Sequence, residues 1–403
     1  MTERVLVTGM GIVSGIGNSV EETLISLLNG KTGVGTVKYL NTNHADIPCS
    51  EVKLSDKEMF SILSIPETAP VTRTALMGIM AAREALSHAG ISPSKSMRIG
   101  FISSTTVGGM EKSELYYPDF LENDSRNDFI RVHDCGACTE VIADYFGGFS
   151  YVSTISTACS SSANAIALGS NLIRHGILDI VVAGGTECLT KFHLNGFNTL
   201  MILDRALCRP FDASRSGLNL GEGAAYLVLE SELSASSRNA KVLCRVSGYG
   251  NACDSYHQTA SSPDGKGAAL AMKQALEMSQ LKPYEIDYIN AHGTGTINND
   301  ESEGVAIMNV FGGNIPPVSS TKAFTGHTTS AAGSVEAVIS ILALKEDFLP
   351  PNLNFKNKID KLTFEPVSEL KRDIKINNVL SNSFGFGGNN TAIVFSKFNL
   401  TTN

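Results

Sequence analysis

The stretch Val152-Ser153-Thr154-Ile155-Ser156-Thr157-Ala158-Cys159-Ser160-Ser161-Ser162-Ala163-Asn164-Ala165-Ile166-Ala167-Leu168 changes character at its middle. A β-branched run ends in Thr-Ala-Cys, and small helix-forming residues follow without a break. This predicts a strand, a tight turn and a helix that continues to about Arg174 and stops at Gly176. Cys159 then falls at a helix N-terminus, where unpaired backbone N–H groups favour an anion. That position is expected to lower the thiol pKa and supply a nucleophilic thiolate. A lone cysteine among apolar neighbours is in general an inert buried thiol. The rest of the chain tips the balance, because it offers two His motifs that could partner this one.

At 403 residues, with 42% apolar and 18% charged content, the chain can bury a large core and reads as a soluble globular enzyme of two or three domain-sized units. Its net charge of −8 argues against a nucleic-acid binder. No run approaches the ~18 consecutive apolar residues of a membrane span. Met1-Thr2-Glu3-Arg4 leads directly into a strand, without the layout of a signal peptide. Eight cysteines over this length suggest free thiols in a reducing cytoplasm rather than a disulfide scaffold.

Outward from residues 152–168, strands and helices alternate. Strands are expected at Arg4–Gly11, Arg98–Ser103, Ile180–Ala183 and Ala224–Leu229, with helices at 20–29 and 71–88 and a mostly helical segment over 110–150. Lys241–Gly250 then restarts the pattern. Helices follow at Gly267–Ser279, Ser302–Phe311 and Ser334–Glu346, and strands at Ile286–Ala291, Pro316–Ser319, Leu380–Phe384 and Thr391–Phe395. The order suggests an α/β protein of two related halves, 1–235 and 236–403, although their sequences do not align well enough to prove a repeat. Gly9-Met10-Gly11 brings a dinucleotide fingerprint to mind, but Gly15 falls one place late, so turn chemistry is the expected role. Cys135-Gly136-Ala137-Cys138 lacks a second cysteine pair at zinc spacing, and helix residues are expected there.

Three Gly-flanked polar motifs occupy the second half: Asn290-Ala291-His292-Gly293-Thr294-Gly295-Thr296, Thr321-Lys322-Ala323-Phe324-Thr325-Gly326-His327, and Ser383-Phe384-Gly385-Phe386-Gly387-Gly388-Asn389-Asn390. Glycines at strand ends let backbone approach a substrate closely, and such loops commonly carry catalytic side chains. One histidine alone is more often structural. A cysteine with two such motifs is far more specific.

The ordered set TACSSSANAI, VAGGTE, RPFD, LGEGAA, NAHGTGT, SSTKAFTGH and SFGFGGNN resembles the elongating β-ketoacyl-[acyl-carrier-protein] synthases over nearly the whole chain. These are decarboxylating condensing enzymes of the thiolase superfamily. The resemblance implies a thiolase-like layered αβαβα fold of two related halves, a dimer, and a site where the halves meet. It makes Cys159 the acyl-accepting nucleophile, and His292 and His327 the pair that polarises the malonyl thioester oxygen. Lys322 matches the active-site lysine and Glu303 an acidic residue that orders the site. Backbone N–H groups of Cys159 and Phe386 would form the oxyanion hole, with Phe386 also the gating aromatic. Thr294 and Thr296 would contact the phosphopantetheine arm, and Val107 and Phe197 the acyl pocket. The resemblance further implies that malonyl and acyl thioesters arrive on an acyl carrier protein, with neither a metal nor an organic cofactor required.

Departures from the family pattern bear on the substrate. Asn389 replaces the usual Thr near the gate. Ser61–Val71 contains no Lys or Arg where housekeeping relatives often carry the cations that grip the acidic carrier. Docking would then use Arg73, Arg126, Arg131 or Lys191, or involve a specialised carrier. The block Phe192–Met201 resembles condensing enzymes of aryl-polyene and related pigment pathways. Pairing with a chain-length-factor-like subunit is therefore an alternative to a homodimer. A thiolase proper would need a second cysteine in the turn at 383–390, which has none; a chain-length factor would lack the nucleophile; and an α/β-hydrolase would show a G-x-S-x-G elbow.

Overall fold

The structure, a computed structural model, describes residues 3–398, so Met1 and Thr2 of the expected strand approach lie outside it. Ten strands form its main sheet: β1 (Val5–Ser14), β2 (Ile99–Ser104), β3 (Tyr151–Ile155), β4 (Ile180–Glu187), β5 (Gly223–Ser231), β6 (Cys244–Cys253), β7 (Tyr288–Asn290), β8 (Val318–Ser319), β9 (Asn378–Gly385) and β10 (Asn389–Ser396). Across the first five the order is β1-β5-β4-β2-β3, and across the last five it is β6-β10-β9-β7-β8. Adding five to each label of the first set gives the second. The pairing senses agree as well: β5 lies antiparallel to β1 and β4, and β2 parallel to β4 and β3. In the same way β10 lies antiparallel to β6 and β9, and β7 parallel to β9 and β8. The duplication that the sequence only hinted at is explicit in topology.

Helices repeat with the strands. Named in chain order, they are α1 (Arg73–Ala89), α2 (Cys135–Phe146), α3 (Ser161–Arg174), α4 (Lys191–Thr199), α5 (Lys266–Ser279), α6 (Ile297–Phe311) and α7 (Ala332–Glu346). Between corresponding strands, α1 stands where α5 does, α2 where α6 does, and α3 where α7 does. α1 and α5 cover outer faces, while α3 and α7 pack on each other between the two halves of the sheet, giving the αβαβα layering of the thiolase fold. α7 is buried at every residue from Ala332 to Leu344, as expected of a helix that is apolar all round. Small residues bring the central pair close: a Cβ on Gly333 would come within 2.8 Å of the Ala163 backbone nitrogen. The halves share one continuous sheet, yet only Val5, Leu6 and Val7 of β1 pair across to β6.

Gly9 and Gly11 serve neither of the roles weighed for them. They lie inside β1, where a Cβ would meet the carbonyl oxygens of Ala85 and Ala81 on α1 at 2.3 and 2.1 Å. Gly248 and Gly250 of β6 meet Ala275 and Ala271 of α5 in the same way, at 2.4 and 2.1 Å. The glycines are there because a helix lies against bare strand backbone. Gly11→Ala is accordingly expected to cost about 2–3 kcal/mol through overpacking, read as a lower urea midpoint at unchanged slope. An unchanged midpoint would mean that α1 does not sit this close.

Candidate active site

Cys159 occupies the turn between β3 and α3, and its side chain is buried. Ala158, just before it, holds φ at +53°, a left-handed conformation that costs a residue with a Cβ about 1–2 kcal/mol. Local hydrogen bonds hold the bend: Thr157 N–H donates to Ser161 Oγ at 2.8 Å, and Ser160 Oγ donates to the Thr157 carbonyl at 2.8 Å. The helix begins at Ser161 with Ser160 as its cap, so Cys159 lies just outside the first turn. This corrects the expected thiol chemistry. Burial pushes the Cys159 thiol up to about 11, against the opposing pull of the Lys322 charge and the Phe386 backbone N–H. Desolvating a thiolate here outweighs what the helix end provides. Alkylation of Cys159 by iodoacetamide is therefore expected to rise about tenfold per pH unit from neutrality, without levelling below about pH 10, because only the thiolate reacts. A plateau below pH 8 would show a low-pKa thiolate instead.

Both histidines reach this sulfur from the second half. His327 Nε2 lies 3.2 Å from Cys159 Sγ, and the rings of His292 and His327 meet edge to face with centroids 5.2 Å apart. Their tautomers follow from their partners. Thr329 N–H can only donate, so the His327 Nδ1 that it meets at 3.3 Å must be the unprotonated nitrogen. Lys322 Nζ faces His292 Nδ1 at 3.2 Å and imposes the same choice. Both rings thus carry their proton on Nε2. Burial, with Lys322 adding to it, drives both pKa values well below the usual histidine range, so the rings are neutral donors at pH 7.

Lys322 and Glu303 act on this geometry through His292. Lys322 Nζ donates to the His292 carbonyl at 2.6 Å and pairs with Glu336, both partners being almost wholly buried. Glu303 accepts the backbone N–H groups of His292 and Gly293 at 2.8 and 2.7 Å, and Asn382 Nδ2 at 3.1 Å. Burial raises both Glu303 and Glu336 to about 7, partly offset by these hydrogen bonds and, for Glu336, by Lys322.

The sequence reading missed Glu336 and Glu187. Glu336 is the one charged residue in the buried run Ala332–Leu344 of α7, and a carboxylate there signals a buried partner. Glu187 ends β4, accepts Thr105 Oγ1 at 2.5 Å and Thr329 Oγ1 at 2.9 Å, and so ties the loop after β2 to the loop that carries His327. Its motif was noticed; its role became visible only in three dimensions.

Cys159, His292, His327, Phe197, Thr294, Thr296 and Phe386 all line one cavity of about 250 Å³. Phe386 lies nearly parallel to Phe197, with centroids 5.9 Å apart, and its backbone N–H bears on Sγ. Thr294 and Thr296 bond each other through their hydroxyls at 2.9 Å. Val107 is placed otherwise: it is buried in the core cluster with Cys138 and Ile142, and is not among the residues lining this cavity. Asn389 is a junction. Its Oδ1 shares the Ser160 hydroxyl proton with the Thr157 carbonyl, at 2.8 Å, and accepts the amides of Asn164 and Asn251 at 2.9 Å, tying the turn of Phe386 to the start of α3.

Of the docking cations, Arg73 must be withdrawn. It is buried in α1, with Nε donating to both Glu222 oxygens at 3.1 and 3.0 Å and Nη1 to Asp56 at 2.8 Å, so it offers nothing to a partner. Arg126, Arg131 and Lys191 are exposed.

Sγ of Cys159 and one nitrogen from each of His292 and His327 lie within 4.8 Å of one another, which is a zinc-like donor set. The surroundings do not suit a metal. A ligating imidazole gives its other N–H to an acceptor, whereas both Nδ1 atoms here face donors. The arrangement instead presents two Nε2–H donors and a sulfur to one small space.

The comparisons agree with this geometry. Residues 2–235 match the family model described as Beta-ketoacyl synthase, N-terminal domain, and residues 243–356 match its C-terminal domain. A 3-oxoacyl-[acyl-carrier-protein] synthase 2 of Staphylococcus aureus (strain COL) is 33% identical, over 98% of this chain and 99% of its own. The ishigamide ketosynthase/chain length factor superposes with a TM-score of 0.92 at 29% identity, covering 99% of this chain and 100% of that one. A type II polyketide ketosynthase, AntDE, solved with its acyl-carrier protein AntF and bound to the hexaketide, gives 0.87 at 26% identity over 99% and 100%. On the nucleophile turn, the paired histidines and these full-length matches, the chain belongs to the β-ketoacyl synthase family, the elongating condensing enzymes that act as acyltransferases.

Proposed function

We propose that the protein condenses malonyl-carrier protein with an acyl primer held on Cys159, losing CO2. The observation that carries this reading is the pair of neutral Nε2–H donors converging on the buried sulfur. Cys159 Sγ attacks the primer thioester; the tetrahedral oxygen takes the N–H groups of Cys159 and Phe386; the carrier leaves as a thiol with the proton that Cys159 gave up. The malonyl thioester then enters, and its C–C bond to the carboxylate breaks. The enolate oxygen accepts from His292 and His327, which have no need to move a proton. The enolate carbon attacks the acyl-cysteine carbonyl, forming the β-ketoacyl product and freeing the thiolate. Lys322 and Glu303 are positioning residues that fix the tautomer and loop of His292. Incubation with malonyl-carrier and a panel of primers, with mass spectrometry of Cys159 and of products, tests the reading. Absence of both acyl-cysteine and β-ketoacyl product would end it.

A heterodimer with a chain-length-factor-like subunit is the second reading. It is supported by the likeness to a ketosynthase/chain length factor, and by β3, a sheet-edge strand with Val152 42% exposed. An exposed edge invites another strand. With the aromatic rings of Phe197 and Phe386 lining the cavity, rigid unsaturated primers are expected to be accepted at least as well as saturated ones. Initial rates with saturated and polyenoyl primers on one carrier decide this, a preference for saturated chains returning the protein to ordinary fatty-acid elongation. No helix among the described residues is long and apolar enough to cross a membrane.

A further inference from the structure

We infer that the carrier protein docks on an apolar rim around the Cys159 cavity, centred on Met201 and Ile297, and is not gripped chiefly by cations. This rests on the condensing-enzyme reading above.

Met201 is 87% exposed and holds φ at +55°, so an apolar side chain stands in solvent on backbone that resists it. Ile297, 60% exposed, faces the opening from the start of α6. Both line the cavity, where the other exposed lining residues are the small polar Ser216, Thr259 and Asn298, with no charged side chain, and Leu200 beside Met201 is 43% exposed. Scattered exposed apolar residues are ordinary. A group flanking the opening to a nucleophile is not scattered.

The arginines that follow Met201 in the chain are paired, whereas Lys191 at the start of α4 is exposed. Arg205 pairs with Asp46, Arg209 with Asp204 at 3.0 Å, and Arg215 with Asp300 and Glu301 at 3.6 and 3.4 Å. The segment Ser61–Val71 supplies none. An acyl group on a long arm reaches the buried sulfur through this mouth, so the body that carries the arm must rest on its rim. Methionine, flexible and polarizable, suits such an adaptable contact.

The test measures acylation of Cys159 by one acyl group presented on the carrier protein and on free pantetheine. For the carrier, KM is expected to change less than about twofold between about 0.05 and 0.5 M NaCl, where a charge-steered encounter would weaken severalfold or more. The double variant Met201→Gln, Ile297→Gln is expected to lower kcat/KM for the carrier-borne group about tenfold relative to the pantetheine thioester. Pantetheine serves as the internal control for folding. Arg205→Glu should change that ratio less than about twofold. A steep salt dependence, or an Arg205→Glu loss that equals the double variant's, would overturn the apolar rim. Failure of both thioesters to acylate Cys159 would overturn the condensing-enzyme reading instead.

Discussion

Cys159→Ala is expected to abolish acyl-enzyme formation and condensation while malonyl decarboxylation persists. In the proposed mechanism the sulfur accepts the primer, whereas the enolate oxygen is held by His292 and His327, which the substitution leaves alone. The fold should survive, because a single buried atom is lost from a turn fixed by Thr157, Ser160 and Ser161. Mass spectrometry of the protein and release of labelled CO2 separate the two steps. A variant that still condensed would remove the nucleophile from this account.

The two histidines should fail differently. His292→Ala is expected to lower decarboxylation about 100–1,000-fold, the usual cost of one donor to a developing oxyanion, while acylation of Cys159 continues. His327 Nε2 also touches the sulfur, so His327→Ala should impair acylation as well. Lys322→Met should resemble His292→Ala in kind, since it releases the Nδ1 contact that fixes the donor tautomer. Following CO2 and the acyl adduct separately in each variant checks the division. Normal CO2 release from both histidine variants would break it.

Much of this was legible in the chain itself, and the reasons differ by residue. His292 and His327 stand in Gly-flanked loops and Cys159 in a strand-to-helix turn, between regular elements where side chains are chosen for chemistry rather than packing, so the motifs stand out in the chain. Gly9 and Gly11 were misjudged because a glycine looks the same whether the backbone must turn or a helix must come close; only the Ala81 and Ala85 carbonyls tell the cases apart. The thiol pKa failed for a related reason. Position at a helix start is local and visible in sequence, whereas desolvation depends on elements hundreds of residues away. Arg73 looked like a surface cation, yet its neutralising partner Glu222 lies 149 positions downstream. Charge in a sequence says little about exposure until the counter-charge is found.

The thin seam between the halves has a consequence of its own. Cys159 hangs from the first half, and His292, Lys322 and His327 from the second, while only three residues of β1 join the sheet across the boundary. The proposed nucleophile and oxyanion donors therefore belong to different halves, kept in register by α7, which packs on both α3 and β5, and by β1 against β6. Were the chain opened in the exposed link near Asn239, each fragment would carry half of a reaction. Turnover would then report nothing but their reunion, making the molecule a ready-made complementation pair.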